Sequence, residues 1–323
     1  VATQATANSI SASARRRHTL WDAVRKHGAR SAAITVLLLL GGVILTLIQG
    51  SWLCLSTFGP AFLTTEKWNP GAEEFGALAP IYGTLLTSLI AMLIGIPISI
   101  GIAIFLTELC PPRLKRSIST AIELLAGIPS IIYGIWGLFV LAPFLQAHVQ
   151  PLLISTFAGV PVLGTMFAGP PYGIGIFTAG IILSIMVLPY ITSVTRDVFE
   201  TVPPTLKESA YALGCTTWEV VRKVVLPFTS TGVIGGIMLG LGRALGETMA
   251  VTFVIGNAHR ISGSLLAPGT TISASIANEF TEAETELYTS SLISLGLLLF
   301  LITFTVLALA RFMLMRLQRK AGK

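Results

Sequence analysis

The chain has 323 residues, 53% of them hydrophobic and only 11% charged, with a mean hydropathy of +0.80. A soluble domain carries about 25% charged residues, so this composition excludes an ordinary soluble globular protein. The formal charge of +6 admits either nucleic-acid binding or the basic loops of a membrane protein, and the distribution of charge separates the two.

Residues 1–30 are polar and basic and read as a cytoplasmic tail. Within it, Thr19 to His27 places Leu20, Trp21 and Val24 either against lipid headgroups on an interfacial helix or in a solvated segment. The apolar run that follows is too long for a signal-peptide core and reads as a membrane span. A helix needs about 20 apolar residues to cross the hydrocarbon layer. Six runs of that kind occur, at 31–54, 80–106, 118–145, 172–194, 232–256 and 288–310. They predict an all-α integral membrane protein, with a six-helix transmembrane domain over 31–316 and a short cytoplasmic tail over 317–323.

Lys and Arg are retained on the cytoplasmic side of a membrane. In the six-span arrangement 18 of the 21 basic residues fall on one side, in the two tails and in the loops after the second and fourth spans. The other side keeps Lys67 and Arg260 and gathers Glu66, Glu73, Glu74, Glu279, Glu282, Glu284 and Glu286. Both termini are therefore expected in the cytoplasm. Scattered over four membrane-boundary segments without a recognisable binding module, the basic residues do not make a nucleic-acid site. Cys54, Cys110 and Cys215 lie far apart, and the four histidines form no ligand set around them, so neither a disulfide framework nor a metal site is expected.

Along the spans, Glu123 is expected in the first turns of the third, where snorkelling or a helix N-terminus explains it. The Gly127-Ile-Pro129 and Val187-Leu-Pro189 pieces read as kinks. The external segment from Ala147 to Pro171 is rich in Pro and Gly and reads as a loop packed on the outer mouth.

The loop over about 197–231 predicts two short helices. Pro203 and Pro204 suit a helix start and Gly214 a stop; Thr216 and Glu219 have capping-box spacing, and Pro227 is expected to close the second helix. Ser209, Ala210 and Ala212 offer a small-residue face for close backbone approach, with Lys207 and Glu208 beside it for polar contacts.

The fifth span contains Gly240-Leu-Gly-Arg-Ala-Leu-Gly-Glu-Thr-Met-Ala250, which sets Arg243 and Glu247 on one face near mid-bilayer. An Arg at a helix centre costs about 2.5–3.5 kcal/mol on an insertion scale, so the pair must face a partner or an aqueous path. A structural ion pair is the plain explanation, although the stabilising order in a helix puts the acid first. The alternative is a site in which Arg243 is a planar multi-donor ligand for an oxyanion and Glu247 accepts a proton-bearing oxygen or orients the guanidinium. Gly240, Gly242 and Gly246 allow close approach of a helix or a substrate. There is no G-x-x-x-x-G-K-[ST], so the chain is not expected to be an enzyme that hydrolyses ATP itself.

Two sets of residues carry a resemblance. Glu208-Ser-Ala210, Gly214 and Val224-Val-Leu226-Pro227, with three and nine residues between the blocks, resemble the EAA loop of ABC-importer permeases, with Ser209 and Val224 as its departures. From about Pro80 to the end the chain is similar to the phosphate-specific permease subunits of that class, through Pro80-Ile-Tyr-Gly-Thr84, Glu123 to Gly134, Gly240 to Ala250 and Ile276-Ala-Asn-Glu-Phe280. The resemblance implies a type I importer permease fold with its core at about 80–310, in a bacterial inner membrane. It implies ATPase coupling through Glu208, Ser209, Ala210, Gly214, Leu226 and Pro227, and a phosphate path at Arg243 and Glu247. It also implies a second homologous permease, an ATP-binding cassette dimer that holds ATP and magnesium, and an external phosphate-binding protein; no cofactor falls to this chain.

Sulfate or molybdate would also suit an arginine, but only a protonated phosphate donates a hydrogen bond to Glu247. A gradient-driven secondary transporter, or a membrane scaffold whose charges hold subunits together, remains a rival on the residues alone.

Overall fold

The computed structural model describes the backbone of residues 2–320 and the side chains of residues 25–312, 315 and 316. The side chains of Leu20, Trp21 and Val24, and the 317–323 tail apart from the helical backbone of 317–320, lie outside the described residues.

Among the described residues, six helices are long and apolar enough to cross a membrane: Arg25–Phe58, Leu78–Leu109, Ser130–Phe157, Ile176–Glu200, Thr217–Gly246 and Glu286–Phe312. The first belongs to helix α1 (Ala2–Phe58). The chain divides after Gly50 into two compact units. The described part of the first is the stretch of α1 up to Gly50, with Ile34, Val36, Leu37, Leu38 and Leu39 all exposed, an apolar surface of the kind that a bilayer covers.

The second unit holds α2 (Leu78–Leu109), α3 (Pro112–Ala126), α4 (Ser130–Phe157), α5 (Ile176–Glu200), α6 (Pro204–Ala212), α7 (Thr217–Gly246), α8 (Met249–Val254), α9 (Ile272–Glu279) and α10 (Glu286–Lys320). Helix α5 is the axis of this unit, because its Ala179, Ile182, Leu183, Met186, Val187 and Ile191 pack with residues of α2, α7 and α8 in one core. Glycines decide that packing. A Cβ at Gly232, Gly236 or Gly240 of α7 would fall 2.5, 3.1 or 2.7 Å from Val198, Val194 or Ile191 of α5. Glycines spaced by four let two backbones approach closely, so this seam sets the register of α7 on α5. At the other end of α5, Gly175 N–H donates to the Val254 carbonyl at 2.8 Å, so α7 and α8 together follow α5 along its whole length.

Several boundaries differ from those read in the sequence. The third run is two helices: α3 ends at Ala126, residues 127–129 are not helical, and α4 starts at Ser130 and runs on to Phe157, so part of the expected outer loop is helix. Pro189 behaves in the opposite way and stays inside α5. Glu123 stands near the C-terminal end of α3, not in the first turns of a span, and is bonded to Arg196 of α5 at 2.8 Å. Pro227 does not close a helix. A π turn at Val221–Val225 leads directly into the turn that carries it, and α7 continues to Gly246. The fifth span is therefore broken at Glu247 and Thr248, where Glu247 is extended at φ −70 and ψ 128.

Candidate functional site: two broken helices and an exposed loop

The break after α3 and the break after α7 come together. A Cβ on Gly134, in the first turns of α4, would lie 3.1 Å from the Ala250 Cα and 3.2 Å from the Met249 carbonyl oxygen, so α4 starts directly on α8. Tyr133 donates its hydroxyl to the Leu125 carbonyl at 2.9 Å, and Tyr190 of α5 donates to the Ala126 carbonyl at 3.3 Å. Those carbonyls close α3: Leu125 also accepts the Ile128 N–H at 3.3 Å, and the two phenols add side-chain donors where the helix's own donors run out.

Arg243 occupies the meeting point. Its Cζ lies 4.7 Å from the centroid of the Tyr190 ring. The glycine seam explains this placement: Gly240 sits against Ile191, and Arg243, one turn on, falls on the neighbouring Tyr190. Tyr190 is about 15 Å along α5 from Glu200 and about 21 Å from Ile176, at 1.5 Å per residue. Arg243 is thus level with the middle of α5 and near the end of its own helix, at a helix break and not in an unbroken helix.

The sequence pairs Arg243 with Glu247, and the structure brings them together at 3.6 Å between Nη2 and Oε2, longer than a hydrogen bond. Glu247 is buried, whereas a third of the Arg243 side chain is exposed. The Arg243 Nε atom is buried with no hydrogen-bond partner among the described residues. Leaving such a donor unmade costs about 1–3 kcal/mol, more when charged. A guanidinium with unspent donors beside a buried carboxylate is chemically suited to a tetrahedral oxyanion that bears one proton: Arg243 supplies N–H donors and Glu247 an acceptor. Of the other glycines, Gly246 has nothing within 4 Å of a built Cβ and is open, while Gly242 meets Leu307 at an ordinary 3.6 Å.

The second predicted site is the loop between α5 and α7. Its local structure follows the sequence closely: α6 starts at Pro204, Gly214 takes φ +84 where a side chain would be strained, and Thr216 and Glu219 form a reciprocal capping box. Glu208 and Ser209 are exposed, with the Ser209 hydroxyl donating to the Thr205 carbonyl at 2.7 Å. Ala210 is turned the other way. It is buried with Ala103, Phe199, Val202, Val220 and Val225, so it braces α6 and cannot belong to an outward small-residue face. Lys207 is likewise engaged inside the chain, paired with Glu108 of α2. Leu226 is half-buried and Pro227 exposed.

The outward surface of this loop consists instead of residues that the sequence reading passed over. Leu213 is 85% and Trp218 61% exposed, with Leu206 and Tyr211 beside them in the chain. Their signal was present, since large apolar residues flanking a charged loop's Gly214 have no core to enter. Tyr190 and Tyr133 carried no such signal.

At the other end of the molecule, Glu279 collects donors from three segments. Trp68 Nε1 and the Tyr288 hydroxyl bond its Oε2, and His259 Nε2 lies against its Oε1, each at 2.6 Å. The Trp68 and His259 rings stack at 4.9 Å. Burial pushes the Glu279 carboxyl up, but the bonds with His259, Tyr288 and Trp68 outweigh it and hold the group below the ordinary glutamate value.

Residues 95–320 match the family described as binding-protein-dependent transport system inner membrane component. The chain belongs to that family. It is 69% identical over 307 residues to the phosphate transport system permease protein PstC of Mesorhizobium japonicum, covering 95% of this chain and 94% of that protein. A PstC of Pasteurella multocida is 57% identical over 306 residues, covering 95% of each, and a PstC 1 of Mycobacterium tuberculosis is 37% identical over 319, covering 93% and 94%. Among solved structures, a bacterial alginate ABC transporter in complex with an alginate-bound periplasmic protein superposes with a TM-score of 0.61 at 17% identity, covering 92% of this chain and 98% of that one. The inward-facing MetNI methionine ABC transporter gives 0.51 at 17%, covering 75% and 94%. The fold is thus that of ABC-importer permeases, and the chain is a multi-pass inner-membrane permease.

Proposed function

We propose that this chain lines the phosphate path of an ATP-driven importer, working by alternating access, with both termini in the cytoplasm. The observation that carries the reading is Arg243: a permanent charge inside the spans, at the junction of two broken helices, with a buried Nε donor unused and Glu247 at 3.6 Å. Half-helices that meet at mid-membrane present polar groups to a substrate without exposing them to lipid. The PstC relatives, named for phosphate transport, supply the anion. The basic residues supply the orientation, since 18 of 21 fall on the side of the α5–α7 loop.

In this reading an external binding protein delivers phosphate, a second permease completes the pathway, and a pair of ATPases with ATP and magnesium drives it. The ATPase rests on the α5–α7 loop. There Glu208, Ser209, Gly214 and Pro227 are exposed, with Leu213 and Trp218 as the apolar anchors, while Ala210 and Leu226 keep the loop's shape. The 1–30 and 317–323 segments are cytoplasmic tails in this reading.

ATP-dependent uptake of phosphate into vesicles that carry the assembled transporter tests the path. Arg243→Gln is expected to assemble and to lose at least about 100-fold in uptake, in line with loss of a charge-assisted ligand. Normal uptake by that variant removes Arg243 from the path. Leu213→Asp tests the docking surface: the ATPase is expected to be lost on co-purification while the permease stays folded, and an unchanged yield of ATPase counts against the assignment.

A further inference from the structure

We infer that Tyr190 is the positioning residue that aims Arg243 at the anion; the inference rests on the reading of Arg243 as a phosphate ligand. The Arg243 side chain makes no hydrogen bond with any described residue, and its distance to Glu247 is 3.6 Å, so hydrogen bonding does not set its direction. Besides the Glu247 ion pair, which meets it at one Nη2 atom, the guanidinium lies over the Tyr190 ring, 4.7 Å from Cζ. An aromatic face attracts a cation through its quadrupole. Held in that way, a guanidinium keeps every N–H donor, whereas a carboxylate or carbonyl in the same place would consume the donors the anion needs.

Tyr190 is itself anchored from two directions. Its backbone belongs to α5, where the Gly240–Ile191 contact sets the adjoining register. Its hydroxyl reaches the Ala126 carbonyl, beside the Leu125 carbonyl held by Tyr133. The last turns of α3 are fastened to α5 a second time by Glu123 and Arg196 at 2.8 Å. The ring therefore stands on a fixed platform while the side chain it supports keeps its donors free. No anion contacts Tyr190 in this assignment; it acts through Arg243.

The test uses the complete transporter in proteoliposomes, measuring phosphate delivered per ATP hydrolysed. Tyr190→Leu removes the ring and is expected to lower that ratio at least about threefold, the scale of a cation–π contact, while ATP hydrolysis driven by the loaded binding protein continues. Tyr190→Phe, which keeps the ring and drops the hydroxyl, is expected to restore the ratio. Arg243→Gln with Tyr190→Leu should be no worse than Arg243→Gln alone, because both act through one group. An unchanged ratio in Tyr190→Leu, a Tyr190→Phe as impaired as Tyr190→Leu, or a parallel fall of uptake and ATP hydrolysis overturns the inference. If Tyr190→Leu fails to assemble, progressively fluorinated phenylalanines at 190 decide, since fluorination weakens the ring's quadrupole at nearly constant shape. A graded fall supports the proposal and a flat series overturns it. Normal transport by Arg243→Gln would instead remove the underlying reading, whatever the Tyr190 variants do.

Discussion

Arg243 and Glu279 are both charged side chains set among apolar helices, and their surroundings are opposite. Glu279 has three donors at 2.6 Å from Trp68, His259 and Tyr288, drawn from segments far apart in the chain, so its charge is spent in holding them together. Arg243 has a buried Nε without a partner and a carboxylate beyond hydrogen-bond reach. A filled charge is a fastening, because removing it strands its partners. An unfilled one costs stability in the resting protein and gains its partner only when a ligand arrives.

The contrast predicts opposite phenotypes. The largest effect is expected at Arg243: the Gln variant should lose nearly all uptake, while its thermal midpoint falls less than that of Glu279→Ala, since no side-chain hydrogen bond is removed and only the long contact with Glu247 is lost. A drop in thermal midpoint comparable to that of a core variant would show that Arg243 is structural after all. Glu279→Ala should do the reverse. It leaves three donors without an acceptor and is expected to cost about 2–4 kcal/mol, read as a lowered thermal midpoint of the purified complex, while transport per folded complex persists. Equal stability with lost transport would place Glu279 in the pathway and dissolve the comparison.

The smallest effect is in pH. The Glu279 carboxyl lies below its ordinary value in the folded chain, so the stability it contributes is present at neutral pH and lost as the pH falls through that lowered value. Thermal midpoints of the parent should therefore decline on the acid side of the glutamate range, and Glu279→Gln should flatten that limb. An identical acid limb in both proteins would assign the decline to other carboxylates.

How much of this was legible in the sequence depends on the distance over which the deciding interaction acts. The six spans were visible because apolar length is a local property. So was the α5–α7 loop, whose Pro204 start, Gly214 turn and Thr216–Glu219 box are all settled within a few residues. Two X-Pro steps show the limit. Gly127-Ile-Pro129 and Val187-Leu-Pro189 look alike on paper, yet the first separates two helices and the second stays within one. At 187–189 the helix is held by packing, with Gly95 against Val187 and the Ser99 hydroxyl donating to the Leu188 carbonyl. At 127–129 the last carbonyls of α3, Leu125 and Ala126, accept from Tyr133 and Tyr190, the latter 64 residues from its acceptor. The charged pair was found because intramembrane charge is rare; its aromatic support was not, because a tyrosine in a span is ordinary. Ala210 and Lys207 were misjudged for the same reason: their partners, Phe199 and Glu108, lie on α5 and α2.

Helix α7 joins these two sites in one piece. From Thr217, at the loop, to Gly246, at the break, it covers 30 residues, about 45 Å at the rise of an α-helix, and three glycines mesh it with α5 over the half nearest Arg243. A strut of that kind neither stretches nor slides along its neighbour by less than a full tooth. A push on its free end, below the π turn at Val221–Val225, can bend it there or tilt it together with α5. Work done at the loop would thus arrive at Arg243 as rotation of a paired rod, changing the angle between helix pairs while Arg243 and the Tyr190 ring stay together.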